Sequence, residues 1–356
     1  MSASNKNINW INAVKALCLL AVFLEHSKNY YGGDISAINP LYLPFYVNAF
    51  FFVSGYLLFW KQMSEPKILE GRHEYMTSGG GNLLLSNIVY RIMIPTILFA
   101  TLEYFPKKLI KGDGIDVASL LYETVGGLTY WFTSALAVAE LLFLLMLLTR
   151  IKNIWFYVLG ALLLTSIGKH VIDGGFSFVE ERGSFPWQWK HGLICTIFMA
   201  AGGLYWKYEA LVRKVMKGWV AFLLLVAFSF CSIYFFDYLY SGYMVSMLLI
   251  HPIGVLWGIL ASVLLIELCR HLPENYILTF IGQNSIGFYF LSGALPMTFG
   301  IICKKLPFEP NIGILISIWV MTLSIAFGIV AIINRFAPWV WDIRNVKNVR
   351  KRNCNI

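Results

Sequence analysis

The chain has 356 residues, of which 58% are apolar and 13% charged, and its mean hydropathy is +0.67. Globular proteins are roughly 45–50% apolar and about 25% charged, so soluble, disordered and fibrous classes are excluded and a polytopic membrane protein remains. The net charge of +9 would raise the question of nucleic acid in a soluble protein; here it reports topology, and no nucleic-acid partner is expected.

A membrane-crossing helix needs about 20 mainly apolar residues. Ten stretches approach that length, at 12–29, 42–60, 88–105, 129–149, 154–169, 191–207, 219–236, 243–268, 283–303 and 312–334. The expected fold is an all-α polytopic integral membrane protein of about ten transmembrane helices, with a kink or re-entrant segment at His251-Pro252. The expected layout is a transmembrane domain over 1–342 and a basic cytoplasmic tail over 343–356.

The first apolar run carries Lys15, Glu25 and His26 and has no small-residue cleavage site, so it reads as a retained span rather than a signal peptide. With the N-terminus in the cytoplasm, sixteen Lys and Arg fall in inside segments and nine outside; Lys15, Arg91 and Arg335 lie within spans and are not counted. That asymmetry puts both termini in the cytoplasm by the positive-inside rule. The loop string Ser78-Gly79-Gly80-Gly81-Asn82 reads as a flexible connector, since it lacks the GK[ST] ending of a phosphate-binding loop. The six cysteines form no CxxC pair, so neither a disulfide framework nor a metal site is expected.

Ionisable groups inside a span are expensive and mark functional candidates. Lys15 and His26 are eleven residues apart, about three helical turns, so both project from one face roughly 16 Å apart along the axis. Lys15 then sits near the cytoplasmic surface, and His26 sits deep or toward the outer leaflet. A histidine there suits a general base, because its ordinary pKa is near neutrality. The alternative is a snorkelling lysine and a histidine bonded to a carbonyl or facing water.

The segment Asn12-Ala13-Val14-Lys15-Ala16-Leu17, followed by an apolar run to Glu25-His26-Ser27, resembles the opening of the membrane-bound acyltransferase family 3: an Arg, ten residues, then a His. Further blocks are similar and follow in the family's order: Phe50 to Leu58 with its Ser-Gly pair, Tyr90-Arg91-Ile92-Met93-Ile94-Pro95, Tyr130-Trp131-Phe132, and Ile281-Gly282-Gln283-Asn284-Ser285 with Tyr289. Two positions depart. Lys15 replaces the usual Arg and loses its planar fork, and Ser292 stands where many relatives carry a His. No soluble hydrolase-like domain follows, so the resemblance is to the standalone form.

The resemblance implies a multi-pass protein of the cell membrane, specifically a bacterial inner membrane, that transfers an acyl group, usually acetyl from acetyl-CoA, to a hydroxyl of a carbohydrate or envelope glycan. Acyl-CoA is then a donor cosubstrate, with no tightly bound cofactor and no metal. Expected partners are acyl-CoA, a glycan acceptor that is free or lipid-linked, and membrane lipid. His26 is the candidate base. Glu25 tunes its surroundings or faces an inner cavity, and Glu140 in the fourth span is an equal candidate for its carboxylate partner. Lys15 and Arg91 would bind CoA phosphates by charge-assisted hydrogen bonds. Ser285 and Tyr289, with Ser292 beyond, form one hydroxyl stripe able to meet the thioester or oxyanion. The outer connection holds Asp173, Glu180, Glu181, Trp187 and Trp189; the two Trp are candidate sugar platforms or interfacial anchors. A transporter or flippase of an anionic or lipid-linked envelope substrate is the competing reading, because ten spans with buried charge also suit a conduction pathway.

Overall fold

The computed structural model describes residues 9–33, 35, 37–63, 80–112, 114–172, 186–235, 252–305 and 310–345. The described residues are all-α, with no strand among them. By length and apolar composition, five helical stretches can cross a membrane: Asn9–Tyr31, Asn82–Leu109, Pro252–His271, Ser285–Lys304 and Ile312–Phe336. A sixth arises if Pro186–Val215 and Trp219–Tyr234 count as one broken span, and Trp131–Leu147 and Ile154–His170 are shorter apolar helices. The protein is therefore a multi-pass membrane protein. All ten expected stretches overlap helices, but these criteria do not yield ten full crossings.

The chain divides into two compact units. One contains residues 1–53 and 208–334, the other 54–207 and 335–356. The first is organised around α1 (Asn9–Tyr31), which packs on α11 (Pro252–His271), α12 (Tyr276–Gln283) and α13 (Ser285–Lys304). The short α2 (Asn39–Tyr42) and α11 both pack on α10 (Gly218–Tyr234). The helix α14 (Ile312–Phe336) reaches α1 through Trp319, whose Nε1 donates to the Leu20 carbonyl at 2.9 Å.

Sequence alone suggested an unbroken apolar stretch over 42–60. Instead α2 ends at Tyr42, five turn residues follow, and α3 runs from Asn48 to Met63. Pro44 has no N–H to continue a helical ladder, and the Asn48 side chain caps the turn by donating to the Pro44 carbonyl at 3.0 Å. The kink expected at His251-Pro252 lies partly outside the described residues; α11 begins at Pro252, where the missing N–H costs nothing.

The second unit contains the C-terminal half of α3 and α4 (Gly80–Asn87), followed without interruption by a π-helical segment (Ile88–Met93) and α5 (Ile94–Lys111). After α6 (Val117–Thr124), the helices α7 (Trp131–Leu147) and α8 (Ile154–Ile172) form a pair. A turn at Pro186–Gln188 then leads into α9 (Trp189–Val215). Phe59 is the knot of this core: its ring meets Phe143 at 5.9 Å and Tyr157 at 5.1 Å, both edge-on, an arrangement favoured by the ring quadrupoles. The connector expected at Ser78–Asn82 is corrected in part, since Gly80, Gly81 and Asn82 already belong to α4; Ser78 and Gly79 lie outside the described residues.

Candidate active site

Helix α1 stops at Tyr31 because Gly32, at φ +100°, turns the chain into the left-handed region while its N–H donates to the Lys28 carbonyl at 2.8 Å. Along this uninterrupted helix Lys15 and His26 share one face, and both are half-buried. The His26 ring lies nearly parallel to Tyr30 one turn on, with centroids 6.1 Å apart and planes 16° apart.

Two glycines fix the register of α1 against α12 and α13. A Cβ on Gly282 would stand 2.1 Å from the Asn12 carbonyl oxygen, and one on Gly300 would stand 2.9 Å from Tyr30 Cβ. Asn12 to Tyr30 and Gly282 to Gly300 are equal intervals, so the helices run parallel and in step. Lys15 is then level with Ser285, and His26 with Pro296. Ser285 and Tyr289 stand at the height of Lys15 and one turn above it, about 16 and 10 Å along the axis from the level of His26. Ser292 is buried and its hydroxyl donates to the Tyr289 carbonyl at 2.7 Å, which occupies its one proton.

Glu25 is 8% exposed. Its carboxylate accepts a hydrogen bond from the Tyr42 hydroxyl at 2.5 Å and lies 3.6 Å from the Lys28 ammonium. Tyr42 has only one proton to give, so its 2.9 Å contact with Asn39 is the Asn39 amide donating. In that orientation the Asn39 amide nitrogen also donates to the Ile35 carbonyl at 3.2 Å and its oxygen accepts from Lys28 at 3.0 Å. The result is a closed network that ties the segment after α1 back onto it. Glu25 is turned about 100° around the helix from His26.

The sequence signal at Gly282-Gln283-Asn284-Ser285 has a structural meaning. Asn284 breaks the helix between α12 and α13; its amide nitrogen donates to the Phe280 carbonyl at 2.8 Å and its oxygen accepts from Asn334 of α14, also at 2.8 Å. Asn334 was not foreseen. A polar residue in the last turn of an otherwise apolar span was the available clue.

In the second unit, Arg91 sits in the π-helical segment just before Pro95. Proline cannot donate to the carbonyl four residues back, which is that of Arg91, and a widened turn answers the loss. The Arg91 side chain is 60% exposed and its Nε lies 3.9 Å from Asp342. Asp342 is held by Arg344, which donates to both carboxylate oxygens at 2.8 and 2.6 Å and also to Ser86 at 3.1 Å and Asn87 at 3.0 Å. Partial burial pushes the Asp342 carboxyl up, but the Arg344 hydrogen bonds, with the charges of Arg344 and Arg91, outweigh it and hold it below the usual carboxylate range. Trp341 stacks flat on Phe99 at 5.2 Å. The tail expected from residue 343 therefore opens with a fixed turn, Ile343–Asn345, while 346–356 lie outside the described residues. Neither Asp342 nor Arg344 was foreseen as part of the site.

Glu140 occupies α7 and is half-buried. Trp187 adopts φ 54° in the turn before α9, its N–H donates to the Gly126 carbonyl at 2.6 Å, and its ring packs on the cluster of Ile88, Ile92 and Ala137. That contact makes it a core residue on at least one face. Trp189 is half-buried at the start of α9. Asp173, Glu180, Glu181 and His251 lie outside the described residues. Sequence reasoning passed over His191. Its Nδ1 donates to the Gln188 side-chain oxygen at 3.0 Å, and its ring meets Trp131 at 5.8 Å. The neutral imidazole then keeps its lone pair on Nε2. The rule that flagged His26, an ionisable group near the end of an apolar span, would have found it.

Among the described residues no group of three or more His, Cys, Asp or Glu is placed to hold a metal ion. A family model described as an acyltransferase domain, that of acyltransferase family 3, matches residues 8–334. The chain belongs to this acyltransferase family. No curated protein and no solved structure gives a significant match. The match to acyltransferase family 3 spans every candidate from Lys15 to Tyr289, as well as His191, and ends before Asp342 and Arg344. The chain is thus a multi-pass membrane acyltransferase.

Proposed function

We propose that this acyltransferase moves an acetyl group from acetyl-CoA to a hydroxyl of a cell-envelope saccharide, free or lipid-linked, in a bacterial inner membrane with both chain termini in the cytoplasm. The observation that carries the reading is the uninterrupted α1, which presents Lys15 and His26 on one face three turns apart. A donor anchored by its phosphates at the cytoplasmic end can extend its thioester arm along such a face. Membership in the acyltransferase family favours group transfer over transport of an unmodified substrate.

In the proposed reaction a His26 ring nitrogen takes the acceptor hydroxyl proton as the oxygen attacks the thioester carbonyl carbon. The tetrahedral oxyanion collapses, the carbon–sulfur bond breaks, and the imidazolium returns its proton to the leaving sulfur. The products are the acyl ester and free CoA. Lys15 supplies a cation for the CoA phosphates, and Arg91, in the other unit, is a separate candidate for the same role. Ser285 and Tyr289, at the level of Lys15 and just above it, are assigned to the donor's arm rather than to the oxyanion beside His26. Trp187, Trp189 and His191 are candidates for the acceptor side, and Glu140 for a polar wall.

The test is transfer itself. Purified protein in vesicles receives acetyl-labelled CoA and glycan extracted from cells lacking the chain, and mass spectrometry follows the added acetyl mass. Wild type should acetylate the glycan and His26→Gln should not, while both retain CoA binding. Flux of unmodified glycan across the vesicle with no acetyl gain would overturn the reading.

A further inference from the structure

Behind the face of α1 that carries Lys15 and His26 lies a cavity of about 410 Å³ in the first unit. Leu17, Leu20, Ala21 and Leu24 form the α1 wall. At about 100° per residue these four cluster on one side of the helix, opposite His26. The facing walls come from Leu225 and Ser229 of α10, Ala261, Leu264, Leu265 and Leu268 of α11, and Trp319 of α14, and Tyr42 and Phe45 also line the space.

The lining leaves no side-chain polar group unpaired. The Tyr42 hydroxyl is committed to Glu25, the Ser229 hydroxyl donates to the Leu225 carbonyl at 2.9 Å, and the Trp319 indole donates to the Leu20 carbonyl at 2.9 Å. A buried water needs two to four polar partners, and these walls do not provide them. Left empty, the cavity would forfeit dispersion contacts on every side. An apolar occupant satisfies both conditions.

The cavity also opens to the surface of its unit. Leu41 and Leu268 line it, yet each is 40% exposed. Beyond them the outward faces of α10, α11 and α14 carry exposed Phe222, Leu223, Leu256, Leu260, Ile316 and Val320. The α1 wall runs about 10 Å from Leu17 to Leu24, so the space is long enough for a stretch of one hydrocarbon chain. A lipid carrier of the acceptor, or the donor's own acyl group, would be delivered here to the wrong side of α1 for His26. We propose that an acyl chain of a bilayer phospholipid occupies this cavity as a bound lipid. It fills the space behind α1 and abuts Tyr42, through which it supports the Glu25 network. This inference is independent of the acyl donor and acceptor proposed above.

The test uses the full chain in vesicles of phosphatidylethanolamine and phosphatidylglycerol doped with a phosphatidylcholine bearing a diazirine near the end of one acyl chain. After irradiation, labelled peptides are mapped. Helix α1 is diagnostic because Leu17, Leu20 and Leu24 are half-buried and line the cavity, so an adduct there reports a chain seated in it. Wild type should carry adducts on Leu17–Leu24 as well as on exposed α11. Ala261→Trp, and Ser229→Phe from another wall, should lose the α1 adducts and keep those on Leu256 and Leu260, with monodispersity and helix content confirming the fold. Labelling confined to α11 in wild type would overturn the proposal. So would a diazirine polyprenyl phosphate that labels α1 and displaces the phospholipid probe, since the cavity would then serve a lipid-linked substrate.

Discussion

The network around Glu25 and the clamp around Arg91 use the same device differently. In each, a polar side chain on a helix is met by a short segment that returns from elsewhere in its unit: Asn39–Tyr42 for Glu25, Asp342–Arg344 for Arg91. Glu25 is buried and its carboxylate is consumed by Tyr42 and Lys28. Arg91 is largely exposed and touches Asp342 only at 3.9 Å, because Arg344 takes that carboxylate at close range. A buried, saturated charge stabilises a structure, whereas an exposed and weakly held one can exchange its partner for a ligand. Of these two candidates, Glu25 has its carboxylate engaged within the protein, whereas Arg91 keeps an exposed guanidinium that a ligand can reach.

The sharpest way to break this comparison is at His26, which lies one residue from Glu25 but on another face. Loss of a general base costs about 10²–10⁴-fold in turnover, so His26→Gln should reduce kcat by that order with donor binding nearly unchanged, measured by equilibrium binding of labelled CoA ester beside the transfer assay. Turnover near wild type would return His26 to a packing role. Gly282→Ala tests the register beneath it: the added methyl meets the Asn12 backbone at 2.1 Å, neither backbone can step aside cheaply, and thermal unfolding in detergent should shift by several kcal/mol of stability.

Smaller effects separate the two networks. Glu25→Ala removes the acceptor for Tyr42 and the partner of Lys28 and should cost about 2 kcal/mol of stability, with residual activity scaling with the folded fraction. A selective collapse of kcat at full stability would instead make Glu25 a catalytic partner. Arg91→Ala should leave stability almost unchanged and raise the KM for donor about tenfold, the worth of one charge-assisted hydrogen bond. Asp342→Asn should raise it less, by loosening Arg91 and the Arg344 fork together. The Asp342 carboxyl is held below its ordinary value in the folded state. Its stabilising contribution is therefore complete above the ordinary carboxylate pKa near 4 and is lost only as the pH falls below that. Donor KM should show no dependence on this group between pH 5 and about 8, and a KM that climbs within that window would contradict the assignment.

Composition and apolar run length were enough to determine an all-α membrane protein and to bring each expected stretch onto a helix, because a span must satisfy its backbone internally and that requirement is written in consecutive residues, but they did not show the break at 43–47 or give the number of crossings. Motif order was enough to point to the acyltransferase family, and helical periodicity was enough to put Lys15 and His26 on one face, since both facts are local to the chain. Periodicity also grouped Ser285 with Tyr289, but it carries no information about which residue of a neighbouring helix stands at the same height. That was decided by Gly282 and Gly300, where missing side chains let two backbones touch and lock the register. The engagement of Glu25 by Tyr42, the pinning of Asp342 by Arg344, the role of Asn334 and the dry cavity behind α1 likewise join residues from separate segments. Only tertiary structure could decide them, because a hydrogen bond or a void depends on which surfaces meet in space, and sequence spacing does not encode that across a turn or between helices.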